Sequence, residues 1–374
     1  MTVATPTFAE RAAGAVLGGL IGEALGVGPH WYYDLEELRR DHGDWIDGYV
    51  DPKPGRYHDG LKAGQLSQAG IIAEMLLDSV LAEGGYSEAA FAAKLDGELF
   101  PQLNGDPRVG PGGYTSQSIR EAWRKRVGEG LPWGQVAGYA DTTEGAERIF
   151  VLAALLAADP SAAAIACRDN TRLTQIDTTT VAITTAFGAV VSALVRGEPL
   201  DEGLGHRLME LVHAGRLPFH HVTNAGTRPP EEGQKEQPLG TNFPSPDALF
   251  IVGSAARAAK DPGVVIEPAW KASIVFGMPC ALYYQMPAAY YLAARFAGDF
   301  EGAVLNAVNG GGQNQARAML TGVLAGAMVG IGGIPQRFID GLEDGAARRG
   351  KALALGRMAE ALAAVAGDAA QDGV

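Results

Sequence analysis

The chain has 374 residues, of which 47% are hydrophobic and 7% aromatic, and its formal net charge is −13. So acidic a surface excludes a general nucleic-acid binder and disfavours an anionic membrane as partner. The two cysteines, Cys167 and Cys280, exclude a disulfide scaffold and read as buried free thiols in apolar helical surroundings.

The first predicted helix covers 8–26. Gly14, Gly18 and Gly22 recur on one of its faces, which lets a second helix approach closely. Glu10 and Arg11 precede its apolar run, unlike the start of a signal peptide, so a soluble, cytoplasmic protein is expected. A loop rich in polar-tipped aromatics follows, His30-Trp31-Tyr32-Tyr33, then a short charged helix over 34–41. The Pro-, Gly- and Asp-rich stretch 42–64 predicts irregular chain.

Helical spacing of Ile71, Ile72, Met75, Leu76 and Val80 predicts a helix over 66–83, and another is expected over 87–99. Gly110–Thr115 reads as a turn, with Thr115 or Ser116 capping the next helix. Further helices are predicted over 144–157, 160–175 and 178–196. Residues 222–246 are polar, with several Pro, Gly and Glu, and predict a flexible loop. Helices resume near 246, 267, 285 and 300, then over 315–329, 335–342 and 345–366. The apolar runs at 181–195 and 318–334 stop short of the ~18 residues a membrane span needs, so they read as core helices. No alternation long enough for a sheet occurs. The expectation is an all-α single domain over 1–374, a compact orthogonal helical bundle.

Standard chemical motifs are missing. Residues 14–22 have glycines at phosphate-loop spacing, but Leu20 and Ile21 stand where Lys and Ser/Thr are needed. The adjacent His220 and His221 cannot chelate from one helix face. His30 is either a loop histidine packed on aromatics or an acid–base group. Amides and hydroxyls gather at predicted helix starts: Gln65, Ser67 and Gln68; Gln175 and Asp177 before three threonines; and the uncharged stretch Asn309-Gly310-Gly311-Gly312-Gln313-Asn314-Gln315. Ser67 and Asp177 also suit plain helix caps, and Glu144 and Glu147 suit a helix start.

Taken in order, these segments resemble the ADP-ribosylglycohydrolase family over nearly the whole chain. The carriers are Arg11–Gly26, where Glu23 replaces the Asp of the family's Gly-Asp-Ala-Leu-Gly; the turn Gly110–Thr115; Gly145-Ala146-Glu147-Arg148; Leu173-Thr174-Gln175, where the family has Thr-His; and Tyr283–Ala327. The resemblance implies cleavage of a bond at C1″ of ADP-ribose with two magnesium ions. The family holds these with a Thr-Asp-Asp-Thr motif and a Gly-Gly-Asp-x-Asp-Thr motif. Here the first falls on Ser67-Gln68-Ala69-Gly70 and the second on Gly310–Gln315, with all four aspartates absent. The family's glutamate falls on or near His30. Neutral oxygens do not replace the charged ligands magnesium takes, so no metal ligand and no cofactor is expected.

The resulting expectation is a hydrolase of a ribosyl or nucleoside-like glycosidic bond, acting without the dinuclear centre on a small-molecule or ADP-ribosyl-type ligand. His30, Asp177 and Glu23 are its candidate catalytic groups, with Glu144 near them. Trp31, Gln65, Ser67, Gln68, Gln175, Asn309, Gln313, Asn314 and Gln315 are its candidate substrate contacts. The alternative is a non-catalytic ligand-binding or structural, crystallin-like member.

Overall fold

The computed structural model describes residues 5–219 and 245–371, with side chains described to 365. Most of the loop expected at 222–246, and His220 and His221, lie outside the described residues. Among those residues there are sixteen α-helices and no strand, only two isolated bridges, Gly138 with Gln175 and Thr142 with Ala281. In chain order the helices are α1 Phe8–Val27, α2 Leu35–His42, α3 Gln68–Glu83, α4 Glu88–Lys94, α5 Gln117–Trp123, α6 Ala146–Leu155, α7 Pro160–Arg172 and α8 Thr178–Val195. Then come α9 Leu204–His213, α10 Ile251–Ala258, α11 Ala272–Phe276, α12 Leu282–Arg295, α13 Phe300–Val308, α14 Asn314–Val329, α15 Gln336–Gly341 and α16 Gly345–Gln371.

The centre of the bundle is α1 against α14. A β-carbon added at Gly14, Gly18 or Gly22 would strike the backbone of Gly326, Gly322 or Ala318 in turn, and one at Gly26 would strike Gln315. The pairing runs in opposite directions along the two helices, so they are antiparallel and in backbone contact. Only glycine permits this approach, and the four-residue spacing keeps the glycines on one stripe. A capping box starts α1: the Thr7 hydroxyl accepts from Glu10 N–H at 3.2 Å, and Thr7 N–H donates to the Glu10 carboxylate at 2.8 Å. One apolar cluster extends around this pair from Ala12 to Ala359.

The structure departs from expectation at four points. Helix α8 is eighteen residues long and apolar enough to span a bilayer, although 89% of it is buried inside the protein. The apolar run 181–195 falls short of that length because it leaves out Thr178–Thr180, whose hydroxyls a helix can bond to its own carbonyls. Helix α7 ends at Arg172, three residues early, because Gln175 turns inward to bond Gly145 N–H and the carbonyls of Ala140 and Thr142. Helix α9 was not anticipated at all. Cys167 is buried as expected, but Cys280 is half-buried in the bend between α11 and α12.

Candidate active site

Four chain segments meet at one end of the α1–α14 pair: the end of α1 with His30 and Trp31, the starts of α3 and α14, and the start of α6. Between them lies a cavity of about 170 Å³ whose lining includes His30, Trp31, His58, Ser67, Gln68, Tyr114, Glu144, Glu147, Gln313 and Gln315. The loop before α14 is tied to the loop after α1 from both sides. Trp31 N–H donates to Gly312 O at 3.1 Å, and Gly312 N–H donates to Tyr32 O at 2.7 Å. Gly311 and Gly312 sit at φ of 62° and 59°, where glycine carries little strain, while Trp31 takes φ of 65° with a full side chain. The buried Arg317 braces the same loop, donating to Ala307 O at 2.9 Å and to Gly311 O.

Three carboxyl groups stand at or behind this cavity. Glu23 is fully buried and accepts from Ser67 N–H at 3.0 Å, from Ser67 Oγ–H and from Gln315 Nε2–H at 3.0 Å. Burial still pushes its pKa up to about 7, against those hydrogen bonds. Glu147 is buried and lines the cavity; burial first, then repulsion from Glu144, push its pKa up to about 8. The hydroxyl of Thr143 donates to Glu147 and that of Thr142 to Glu144, whose pKa burial also raises. Arg148 does not pair with either carboxylate. Its guanidinium donates to the Asn170 side chain at 2.7 Å, to Asn170 O at 2.8 Å and to Thr174 at 3.0 Å. That leaves Glu147 free to keep its proton near neutral pH.

The opposite chemistry is supplied by a histidine pair. His30 Nδ1 lies 2.7 Å from His58 Nε2, and His58 Nδ1 lies 3.3 Å from Gly112 O. Burial holds His30 well below its ordinary range, helped by His58, and lowers His58 to about 4. Both are therefore neutral at pH 7. An aromatic wall completes the lining: Trp31 and Tyr114 face the cavity and Tyr57 packs against both, with ring centroids 3.8 Å apart for Trp31–Tyr57 and 4.5 Å for Tyr57–Tyr114. Such a wall takes the flat face of a sugar or base.

Of the expected site residues, His30, Trp31, Ser67, Gln68, Gln313 and Gln315 share this cavity, and Glu23 lies directly behind it. The others are spent elsewhere. Asp177 caps α8, accepting from Thr180 N–H at 2.8 Å, and does not line the cavity. Gln65 bonds Glu343 at 2.7 Å on the surface. Asn309 exchanges two 2.8 Å bonds with the Ile46 backbone, and Asn314 donates to Val308 O at 3.2 Å. Gln175 accepts from Gly145 N–H at 2.8 Å and donates to Ala140 O and Thr142 O, both at 2.9 Å, so it positions the loop carrying Glu144 without touching the cavity.

The sequence reading overlooked His58, Tyr57 and Tyr114, which come from irregular chain with no periodic signal. It also gave Glu147 only a helix-start role. Its one available hint was Gly145–Arg148, the segment already matched to the family pattern. Cys280 also lines the cavity. Among the described residues no group of three or more His, Cys, Asp or Glu side chains is arranged to hold a metal ion.

The family model for ADP-ribosylglycohydrolase matches residues 4–371. Among solved structures, a chain described as an ADP-ribosylglycohydrolase-related protein complex superposes with a TM-score of 0.59 at 19% identity, covering 94% of this chain and 99% of that one. Identity at that level carries the all-α fold alone. No curated protein matches the sequence.

Proposed function

The chain belongs to the ADP-ribosylglycohydrolase family, and from that premise we propose that it hydrolyses a ribosyl or nucleoside-like glycosidic bond without a dinuclear magnesium centre. The observation that carries this reading is the pairing, in one cavity, of a carboxyl group that holds its proton near neutral pH with an imidazole that does not. Glycosidic cleavage needs those two groups: an acid for the leaving atom and a base for water. Glu147 donates its proton to the leaving nitrogen or oxygen as the bond from C1 breaks. Water adds to C1 and gives its proton to His30 Nε2. The sugar gains a hydroxyl, the leaving group gains a hydrogen, and a proton returns from His30 to Glu147 through solvent. Burial, with Glu144 alongside, keeps Glu147 protonated. Gln313, Gln68 and the aromatic wall orient the ring. A cavity of about 170 Å³ holds one ring-sized group, close to the ~150 Å³ that encloses a benzene, so the remainder of a larger ligand lies outside it.

The donor set does not fit two magnesium ions. Magnesium takes several charged oxygen ligands in octahedral geometry. The Ser67 hydroxyl donates to Glu23 and accepts from Ala69 N–H at 3.3 Å, and Gln315 is bound to Glu23. The nearest carboxyl groups, Glu23, Glu144 and Glu147, accept from the hydroxyls of Ser67, Thr142 and Thr143. The test is turnover of a panel of nucleosides and ADP-ribosyl conjugates by wild type and Glu147→Gln. Turnover by wild type that drops in Glu147→Gln supports the reading. Wild-type turnover that the variant matches removes Glu147 from the mechanism, and binding without turnover across the panel points to the ligand-binding alternative.

A further inference from the structure

The hydrogens of the histidine pair can be counted. Gly112 O only accepts, so the contact from His58 Nδ1, at 3.3 Å, requires a hydrogen on that nitrogen. His58 Nε2 is then an acceptor, and the 2.7 Å contact places the hydrogen on His30 Nδ1. That leaves His30 Nε2 with a bare lone pair, 3.2 Å from Gln313 Oε1. Gln313 cannot relieve this by turning its amide, because Oε1 also accepts from Trp31 Nε1–H, and a turned amide would set its NH₂ against that N–H. The reverse tautomers only move the clash to Gly112 O, which does not line the cavity. A third proton would satisfy every contact, but it would make the pair a buried cation, which burial opposes at both rings.

We infer that His58 is a positioning residue that holds His30 in its Nδ1–H tautomer, so that His30 Nε2 and Gln313 Oε1 jointly accept one hydrogen from the ligand or the attacking water. This rests on the reading of the cavity as a ribosyl site, and it narrows the ligand to one that donates a hydrogen bond at this point, as a sugar hydroxyl does. A ring of acceptors alone does not match.

The direct test is a long-range ¹H–¹⁵N spectrum of the full chain at neutral pH. The expected result is His30 and His58 both protonated at Nδ1. A hydrogen on His30 Nε2, alone or as imidazolium, overturns the inference. His58→Gln keeps an acceptor for His30 Nδ1–H, and its His30 signals should remain those of wild type. His58→Leu removes the acceptor, and His30 should become a mixture of tautomers; unchanged His30 signals in a folded His58→Leu protein also overturn it. In turnover, His58→Leu should lower kcat on the order of 10²-fold with KM nearly unchanged, the contribution of a well-placed base, and His58→Gln should recover most of it. If no tested substrate is turned over, the ribosyl reading fails while the spectra still decide the tautomer.

Discussion

The glycine seam between α1 and α14 and the cavity at its end obey opposite rules. In the seam every position is filled: backbone meets backbone at Gly14, Gly18 and Gly22, and no polar side chain intervenes. The cavity, a few residues along the same two helices, is under-filled and polar. It carries Glu147 with its proton held and a lone pair on His30 facing another on Gln313. The seam is optimised for the folded chain by itself. The cavity is left incomplete, and on the proposed function a ligand completes it. Mutations in the two regions should therefore separate stability from activity.

The largest effect belongs to the seam. In Gly22→Leu the side chain would enter the backbone of Ala318 and Met319. Chemical denaturation should record a loss of more than about 3 kcal/mol, or no folded protein. Gly350, an exposed position inside α16 with no atom near its missing β-carbon, is the matched control, and Gly350→Ala should stabilise by about 0.5–1 kcal/mol. Equal losses at both positions would show that the seam has no special packing.

In the cavity the order reverses. Glu147→Gln should lower turnover by about 10²–10⁴-fold while leaving the thermal midpoint at pH 7 the same or higher. The stability arm follows from linkage. Glu147 has a folded pKa of about 8, above its ordinary 4.5, so the stability tied to its proton is complete below about 4.5 and is lost as pH rises to about 8. His30 and His58 act in the opposite sense and only below their ordinary 6.5, where acid costs stability. Between pH 6.5 and 8 the carboxyl effect therefore stands apart. Wild type should lose about 1.4 kcal/mol per pH unit from this one group, and Glu147→Gln should lose correspondingly less in the same titration. Identical slopes would mean Glu147 is ionised in the folded chain.

The smallest effect is expected at Asp177. It caps α8 outside the cavity, so Asp177→Ala should cost about 1 kcal/mol in denaturant and leave turnover untouched. A loss of activity at unchanged stability would return it to the catalytic set.

What could be read from residue order divides along the same line. The seam was legible because a four-residue glycine period has one physical meaning, a face for close approach. Ser67, Gln68, Gln313 and Gln315 were legible as a group because a hydroxyl and amides gather at predicted helix starts. Asn309 and Asn314 belong to the same stretch, yet their amides satisfy backbone at Ile46 and Val308, and no local pattern distinguishes an amide that ties two loops from one that faces a ligand. His58 lies in irregular chain, and only tertiary structure brings it to His30. Glu147 looked ordinary because a glutamate in a first turn is ordinary, and its altered proton affinity comes from burial beside Glu144.

The central claim is that the carboxyl–imidazole pair, and not a bound metal, cleaves the glycosidic bond. It is tested most directly by the initial rate of hydrolysis, on whichever ribosyl substrate the panel identifies, for protein stripped with a strong chelator and then titrated with magnesium. The rate should be unchanged by stripping and flat across the titration. A rate that vanishes on stripping and returns with magnesium would contradict the account.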